Sequence, residues 1–229
     1  MSIIIHSYSL KSIEFIRSCS YLNGEIMARK SNNLDKKMIE AGISLLKKNG
    51  ASNLSVRDVA NEAGANLGMF AYHFGTKEKF ILRALNEIYL GFLADLGKAH
   101  DETGDLNDVL FQIATFSRDH REILTAILSD VLSNDRVVTS FLRKNFSKHF
   151  TLLRSALDAH LRKRSLSLSN PHHAVRFLIG AVGIPNILLE VRNRGARKKE
   201  PADTDAELRM RIKAAILGLE AVFCAETPS

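Results

Sequence analysis

The side chains of this 229-residue chain that could ligate a metal or move protons are 8 histidines, 2 cysteines and 25 carboxylates, and their spacing suits neither task. His172 and His173 are neighbours, and neighbours on a helix point about 100° apart, so they do not chelate one ion well. His100, His120, His149 and His160 are scattered, with no HxxxH or HExxH arrangement. There is no Gly-x-Ser-x-Gly elbow, phosphate loop or dinucleotide fingerprint. No catalytic residue, metal or cofactor is expected, and the chain does not read as an enzyme. The groups with chemistry to offer lie between Leu54 and Lys79, LSVRDVANEAGANLGMFAYHFGTKEK. There Tyr72 and His73 carry donors suited to phosphate oxygens, and Lys77, near the start of a helix, adds a positive point charge.

The elements that must position these groups are two short helices joined by a glycine turn, with a third starting at once. Ser55 is a good N-cap, and Asp58 three residues on suits a first turn. Val56, Val59, Ala60 and Ala63 share one face at i, i+3, i+4, i+7 spacing. Gly64 suits a left-handed helix stop. Asn66 can cap the next helix, which turns Phe70 and Phe74 inward, and Thr76 can cap the third. A small residue, Ala60, four positions before the turn glycine lets the two helices cross closely. That is helix-turn-helix geometry, which sets its second helix in the DNA major groove.

The run AGANLGMFAYHFGTKEKF, preceded by a helix ending KKNG and by LSVRDVA, resembles the DNA-binding region of TetR/AcrR-type transcriptional regulators. Ala65 stands where the family usually has Val, and Ala71 where many members have Tyr; Tyr72-His73-Phe74 keeps the more diagnostic end. The resemblance covers roughly Asn32 to Phe92. It implies that Asn66, Leu67, Met69, Tyr72 and His73 face DNA, with Leu67 and Met69 touching thymine methyls. A core role for Leu67, spaced from Phe70 and Phe74, is the competing view. Arg57 matches a position that reaches a base edge in the family, where an arginine pairs bidentately with guanine. Ser55 and Lys77 complete the expected DNA-binding set.

Composition agrees with a folded helical protein: 45% hydrophobic, 25% charged, with helix formers dominant and no long alternating β-branched runs. All-α is the expected class. The net charge of +7 suits a polyanion partner, and its excess is denser over Met27 to Lys98 (+4) than over the longer remainder (+3). Cys19 and Cys224 lie far apart and read as free thiols in a reducing cytoplasm. No apolar run approaches the length needed to cross a membrane.

The chain divides into three expected regions. Residues 1–31 form an N-terminal extension and basic arm. Met1 to Ile26, with a possible short helix from Leu10 to Tyr21, is expected to be a misassigned start or a loosely packed extension, and Met27-Ala28-Arg29-Lys30 resembles the start of the family's arm. Residues 32–92 form the DNA-binding domain, with its motif at 55–74. Residues 93–229 form a helical body. Its helices are expected over Leu106 to Phe116, Ile123 to Leu132, Val137 to Arg164, Asn170 to about Val191 with a kink at Pro185, and from Asp203 or Thr204 onward. Arg192 to Pro201 reads as a basic loop. Phe111, Phe116, Phe141, Phe146, Phe150 and Phe177 read mostly as core. By resemblance, some of them line an effector pocket, and sequence pattern does not mark which.

The resemblance also implies a homodimer closed by the last two long helices, reading a palindromic double-stranded operator. The apolar seam Leu208, Ile212, Ala215, Leu219 and Val222 on the last helix resembles such an interface; intrachain packing is the alternative. The expectation is a cytoplasmic homodimeric repressor released by a small apolar or amphipathic effector. Two rivals remain: a DNA-binding scaffold or nucleoid or division factor whose body binds a protein, and a helical ligand-binding enzyme. A closed apolar pocket favours the regulator, a filled body with an exposed apolar patch the scaffold, and a polar triad in a cleft the enzyme.

Overall fold

Three capping side chains fix where successive helices begin near the N-terminus. Ser55 Oγ accepts from the Asp58 N–H at 3.3 Å, Asn66 Oδ1 from Met69 at 2.9 Å, and Thr76 Oγ1 from Lys79 at 3.3 Å. Each satisfies one of the donors a helix start leaves open. The computed structural model describes residues 33–168 and 170–226. The basic arm, the residues upstream of it and Cys19 therefore lie outside the described residues.

In chain order the helices are α1 (Leu34–Asn49), α2 (Val56–Glu62), α3 (Leu67–Phe74), α4 (Lys77–Glu102), α5 (Leu106–Asp119), α6 (Arg121–Leu132), α7 (Arg136–Lys163), α8 (Pro171–Val182), α9 (Ile184–Asn193) and α10 (Asp205–Phe223). The all-α expectation holds. One short addition is an antiparallel ribbon of β1 (Leu166–Leu168) and β2 (Cys224–Glu226), which ties the chain after α7 to the chain after α10. From Asp35 onward the described helices form one compact unit.

The turn between α2 and α3 closes as a Schellman motif. Gly64, at φ +68°, donates its N–H to Asn61 O, and Ala65 donates to Ala60 O at 2.8 Å. The first four helices pack around three phenylalanines. Phe70 and Phe74 of α3 lie 5.0 and 4.8 Å from Phe80 of α4, ring centre to ring centre. Gly42 of α1 lets the Phe80 ring approach so closely that a β-carbon there would sit 2.2 Å from Phe80 Cζ. A second core fills the body. It runs from Phe92 and Leu96 of α4 through Leu110, Leu157 and Leu178 to Leu208 and Leu219 of α10. Helix α4 serves both cores without a break.

The single kinked helix expected from Asn170 to Val191 is instead two helices, parted at Gly183 rather than at Pro185. The missing proline N–H and the ring's bulk act on the turn before it, so the break falls N-terminal to the proline. Side chains brace the break. Ser117 Oγ donates to Gly183 O at 2.6 Å, and the buried Asn186 side chain donates to Val182 O and Ala114 O. By length and composition, Pro171–Asn193 is long and apolar enough to cross a membrane, at 23 residues, which corrects the expectation that no run is. Its apolar character has a packing origin on one side, where Ala174, Val175, Leu178 and Val182 belong to the body core.

The seam expected to hold a dimer is also corrected. Leu208, Ile212, Ala215 and Leu219 are buried in their own chain, Ile212 at 2% exposure and Leu219 at 0%. They pack against α5 and α8 within the core. Only Val222 of that set is exposed.

Candidate nucleic-acid interface and body cavity

Helix α3 is short, exposed and apolar on the side it shows to solvent. Phe70 and Phe74 face the phenylalanine core, while Leu67, Met69 and Tyr72 are exposed, Tyr72 at 79%. Exposed apolar side chains with a phenol beside them suit base methyls and phosphates better than they suit water. Arg57 is exposed on α2. Ser55 and Asn66 spend their side-chain oxygens as caps, leaving the Asn66 amide nitrogen to meet a partner. His73 does not fit the role of phosphate donor. Its ring packs between those of Tyr72 and Phe74, and its Nε2 is buried with no hydrogen-bond partner. Lys77 Nζ donates to Ser52 O at 2.9 Å, so its charge is steered toward the α1–α2 turn. Beside it, Glu78 is held below the usual carboxylate range by hydrogen bonds from its own backbone N–H and the Thr76 hydroxyl.

The α1–α2 turn is gripped from the body. Asp130, near the C-terminal end of α6, accepts from the Ala51 N–H at 2.7 Å, and Asp135 accepts from Ser52 Oγ at 3.1 Å. Gly50, at φ +74°, brings the backbone close to the Asp130 carboxylate. The other face of α6 looks into the body. There Ile123, Leu124, Ile127, Leu128 and Val131 form one wall of a cavity of about 440 Å³.

Every residue lining this cavity is uncharged at neutral pH. Leu85, Ile88, Tyr89 and Phe92 come from α4, Ile113, Phe116 and Ser117 from α5, and Phe141, Leu142, Asn145 and His149 from α7. Ile179, Gly183, Ile184 and Ile187 close the remaining side. One corner is polar. The Tyr89 hydroxyl donates to Asn145 O at 2.6 Å and lies 3.1 Å from His149 Nδ1. Burial pushes the phenol up to about 12 and the imidazole down to about 4, so both are neutral near pH 7. Of the phenylalanines singled out in the sequence, Phe116 and Phe141 line the cavity, Phe111 lies under the Arg209 guanidinium, and Phe177 packs on Phe223. Sequence reasoning missed Tyr89, Asn145 and His149; a phenol within an apolar stripe was the only signal. Among the described residues no group of three His, Cys, Asp or Glu side chains is placed to hold a metal ion.

Comparison with known proteins bears on both regions. Residues 38–84 match the family model for bacterial regulatory proteins of the tetR family. The chain is 22% identical over 143 residues to the "Probable HTH-type transcriptional regulator YttP" of Bacillus subtilis (strain 168), a match covering 59% of this chain and 69% of that protein. Its fold is similar to that of a TetR transcription regulator from Haloarcula marismortui ATCC 43049, with a TM-score of 0.63 and 15% identity, over 85% of this chain and all of that one. These relatives are regulators rather than enzymes. The α2–α3 motif lies inside the residues that match the tetR family model, and the body shares the fold of a TetR-type transcription regulator.

Proposed function

We propose that this chain is a TetR-type transcriptional regulator, a homodimeric, cytoplasmic repressor that reads a palindromic operator with α3 and is released when a small molecule fills the body cavity. In this reading residues 32–92 are the DNA-binding domain and 93–229 the effector and dimer domain. Arg57, Asn66, Leu67, Met69 and Tyr72 meet DNA, Lys77 adds charge, and Ser55 and His73 act by positioning. The observation that carries the reading is the position of α6, with one face on the apolar cavity and Asp130 at its end holding the turn that precedes α2. A ligand that displaces α6 changes the grip on that turn, and a ligand can shift DNA affinity only by binding the two arrangements unequally.

The dimer contact moves to a surface the protomer leaves uncovered. Leu217 and Val222 of α10 are 53% and 76% exposed, and on the adjacent α8 the exposed Phe177 packs on Phe223 of α10. Exposed apolar groups of this size on neighbouring helices suit a second copy of the chain.

Selection of duplexes from a random library, followed by fluorescence anisotropy, tests the reading. The expected result is an inverted repeat with half-sites about one helical turn apart, ~34–36 Å, or a multiple of it. Binding should weaken when the cavity is filled. Equal affinity for all duplexes, or an operator complex indifferent to a ligand shown to occupy the cavity, would overturn it.

A further inference from the structure

We propose that the body cavity selects an uncharged, largely apolar molecule that carries one hydrogen-bond donor, a hydroxyl or an amide N–H, and seats that donor at the Tyr89 corner or on Ser117. The proposal rests on the reading of the cavity as the effector site and adds the chemistry of what enters it.

Charge is excluded by the wall. No Asp, Glu, Lys or Arg lines the cavity, and the Lys148 ammonium behind the polar corner is engaged by Asn145 Oδ1, so an ammonium or a carboxylate entering would shed its water without meeting a counter-charge on the wall. Of the two carboxylates next in sequence to the α6 wall, Asp130 is turned away onto the Ala51 N–H and Glu122 is exposed to solvent. Glu190, on the helix that carries Ile187, is paired with Arg121 and Arg194.

The sense of the hydrogen bond follows from what the wall has already spent. The Tyr89 hydroxyl gives its hydrogen to Asn145 O, and the Ser117 hydroxyl gives its hydrogen to Gly183 O. Each hydroxyl has one hydrogen and two lone pairs, so both oxygens offer acceptors only. Because the phenol hydrogen is committed, His149 Nδ1 at 3.1 Å is the donor to the phenol oxygen, which fixes its neutral tautomer. The Asn145 side chain is turned along its own helix, donating to Phe141 O and accepting from Lys148 Nζ. A ligand ether or ketone therefore finds no hydroxyl hydrogen to accept, whereas an alcohol or amide N–H finds a lone pair.

The test uses the intact protein and Nile red, an uncharged dye that brightens in apolar surroundings, displaced by decanol, its methyl ether, decanoate and decyltrimethylammonium near pH 7. Decanol should displace the dye at a concentration at least about tenfold lower than either charged analogue, and severalfold lower than the ether. Tyr89→Phe, together with Ser117→Ala, should erase the advantage of alcohol over ether while leaving the ether unchanged. Equal displacement by decanoate or by the ammonium overturns the neutral class, and equal displacement by ether and alcohol overturns the donor. An Ile127→Trp protein, with the cavity filled, controls for the place of binding. If that variant binds the dye as the wild type does, the cavity is not a ligand site and the effector reading falls along with the proposal. If decanol wins but leaves the operator complex intact, only the effector reading falls.

Discussion

The carboxylate of Asp130 accepts the backbone N–H of Ala51 at 2.7 Å across 79 residues of sequence, joining the cavity helix α6 to the turn that launches the DNA-binding motif. Both partners are buried, so removing the carboxylate leaves a buried donor without a partner, at a cost of ~1–3 kcal/mol. Asp130→Ala should keep the wild-type affinity for a cavity ligand, read by dye displacement, while the ligand's effect on operator affinity shrinks severalfold. A variant whose operator complex responds to ligand as the wild type does would reduce this bond to a structural tie.

Substitutions on the motif should separate positioning from reading. Tyr72→Ala should weaken binding to all duplexes alike, and Arg57→Ala should relax preference at particular base pairs, since phosphate contacts position and base contacts specify. Lys77→Gln keeps a donor for the Ser52 carbonyl and removes the charge. Its log–log salt slope should flatten by about 0.9 per half-site. An unchanged slope would take Lys77 out of the interface.

Much of this was legible because it is local. Ser55, Asn66 and Thr76 cap where their neighbours' spacing placed them, and Gly64 takes the left-handed turn its position required. What was not legible depends on which surface covers which. The repeat Leu208, Ile212, Ala215, Leu219 steps by four, three and four, a pattern that reads the same whether a second chain or the protomer's own α5 and α8 fills the groove. Pairings such as Tyr89 with His149, 60 residues apart, leave no periodic trace. The ribbon strand Leu166–Leu168 is too short for alternation to show.

Gly42 has no room for a side chain. A β-carbon would lie 2.2 Å from Phe80 Cζ, and Phe80 is confined by Phe70 and Phe74. Overpacking typically costs ~1–3 kcal/mol, against a gain of up to about 1 kcal/mol from the better helix former. Gly42→Ala should therefore lower the melting temperature by a few degrees and the fraction active in operator binding. A melting temperature at or above wild type would show that the Phe80 ring moves aside at little cost.

Acid should destabilise the body partly through His149. The unfolded chain takes up a proton near the ordinary 6.5, whereas the buried ring resists until about 4. Stability is therefore complete above about 6.5 and falls as pH drops through that window, by at most on the order of 3 kcal/mol. Urea unfolding of the wild type and of His149→Gln should converge as pH falls from neutral to about 4.5, because the variant lacks this proton uptake. Parallel losses in the two proteins would assign the acid sensitivity to other groups.

The two faces of α10 predict opposite phenotypes for the same substitution. Ile212 is packed within its own protomer, so Ile212→Asp buries a carboxylate among apolar side chains and should unfold the body or leave it insoluble. Leu217 lies on the exposed face beside Gly218, whose neighbour across the helix pair is the Phe177 ring. In an isolated protomer a Leu217→Asp carboxylate stays hydrated and the helix stays folded; in a dimer built on this face it is buried between copies. Leu217→Asp should thus keep wild-type circular dichroism, sediment as a monomer, and lose high-affinity operator binding, because two α3 helices no longer arrive together at one site. Val222→Asp should behave in the same way. A Leu217→Asp protein that still sediments as a dimer would place the contact elsewhere, and one that is monomeric yet binds its operator at full strength would show that the dimer is not what spaces the recognition helices.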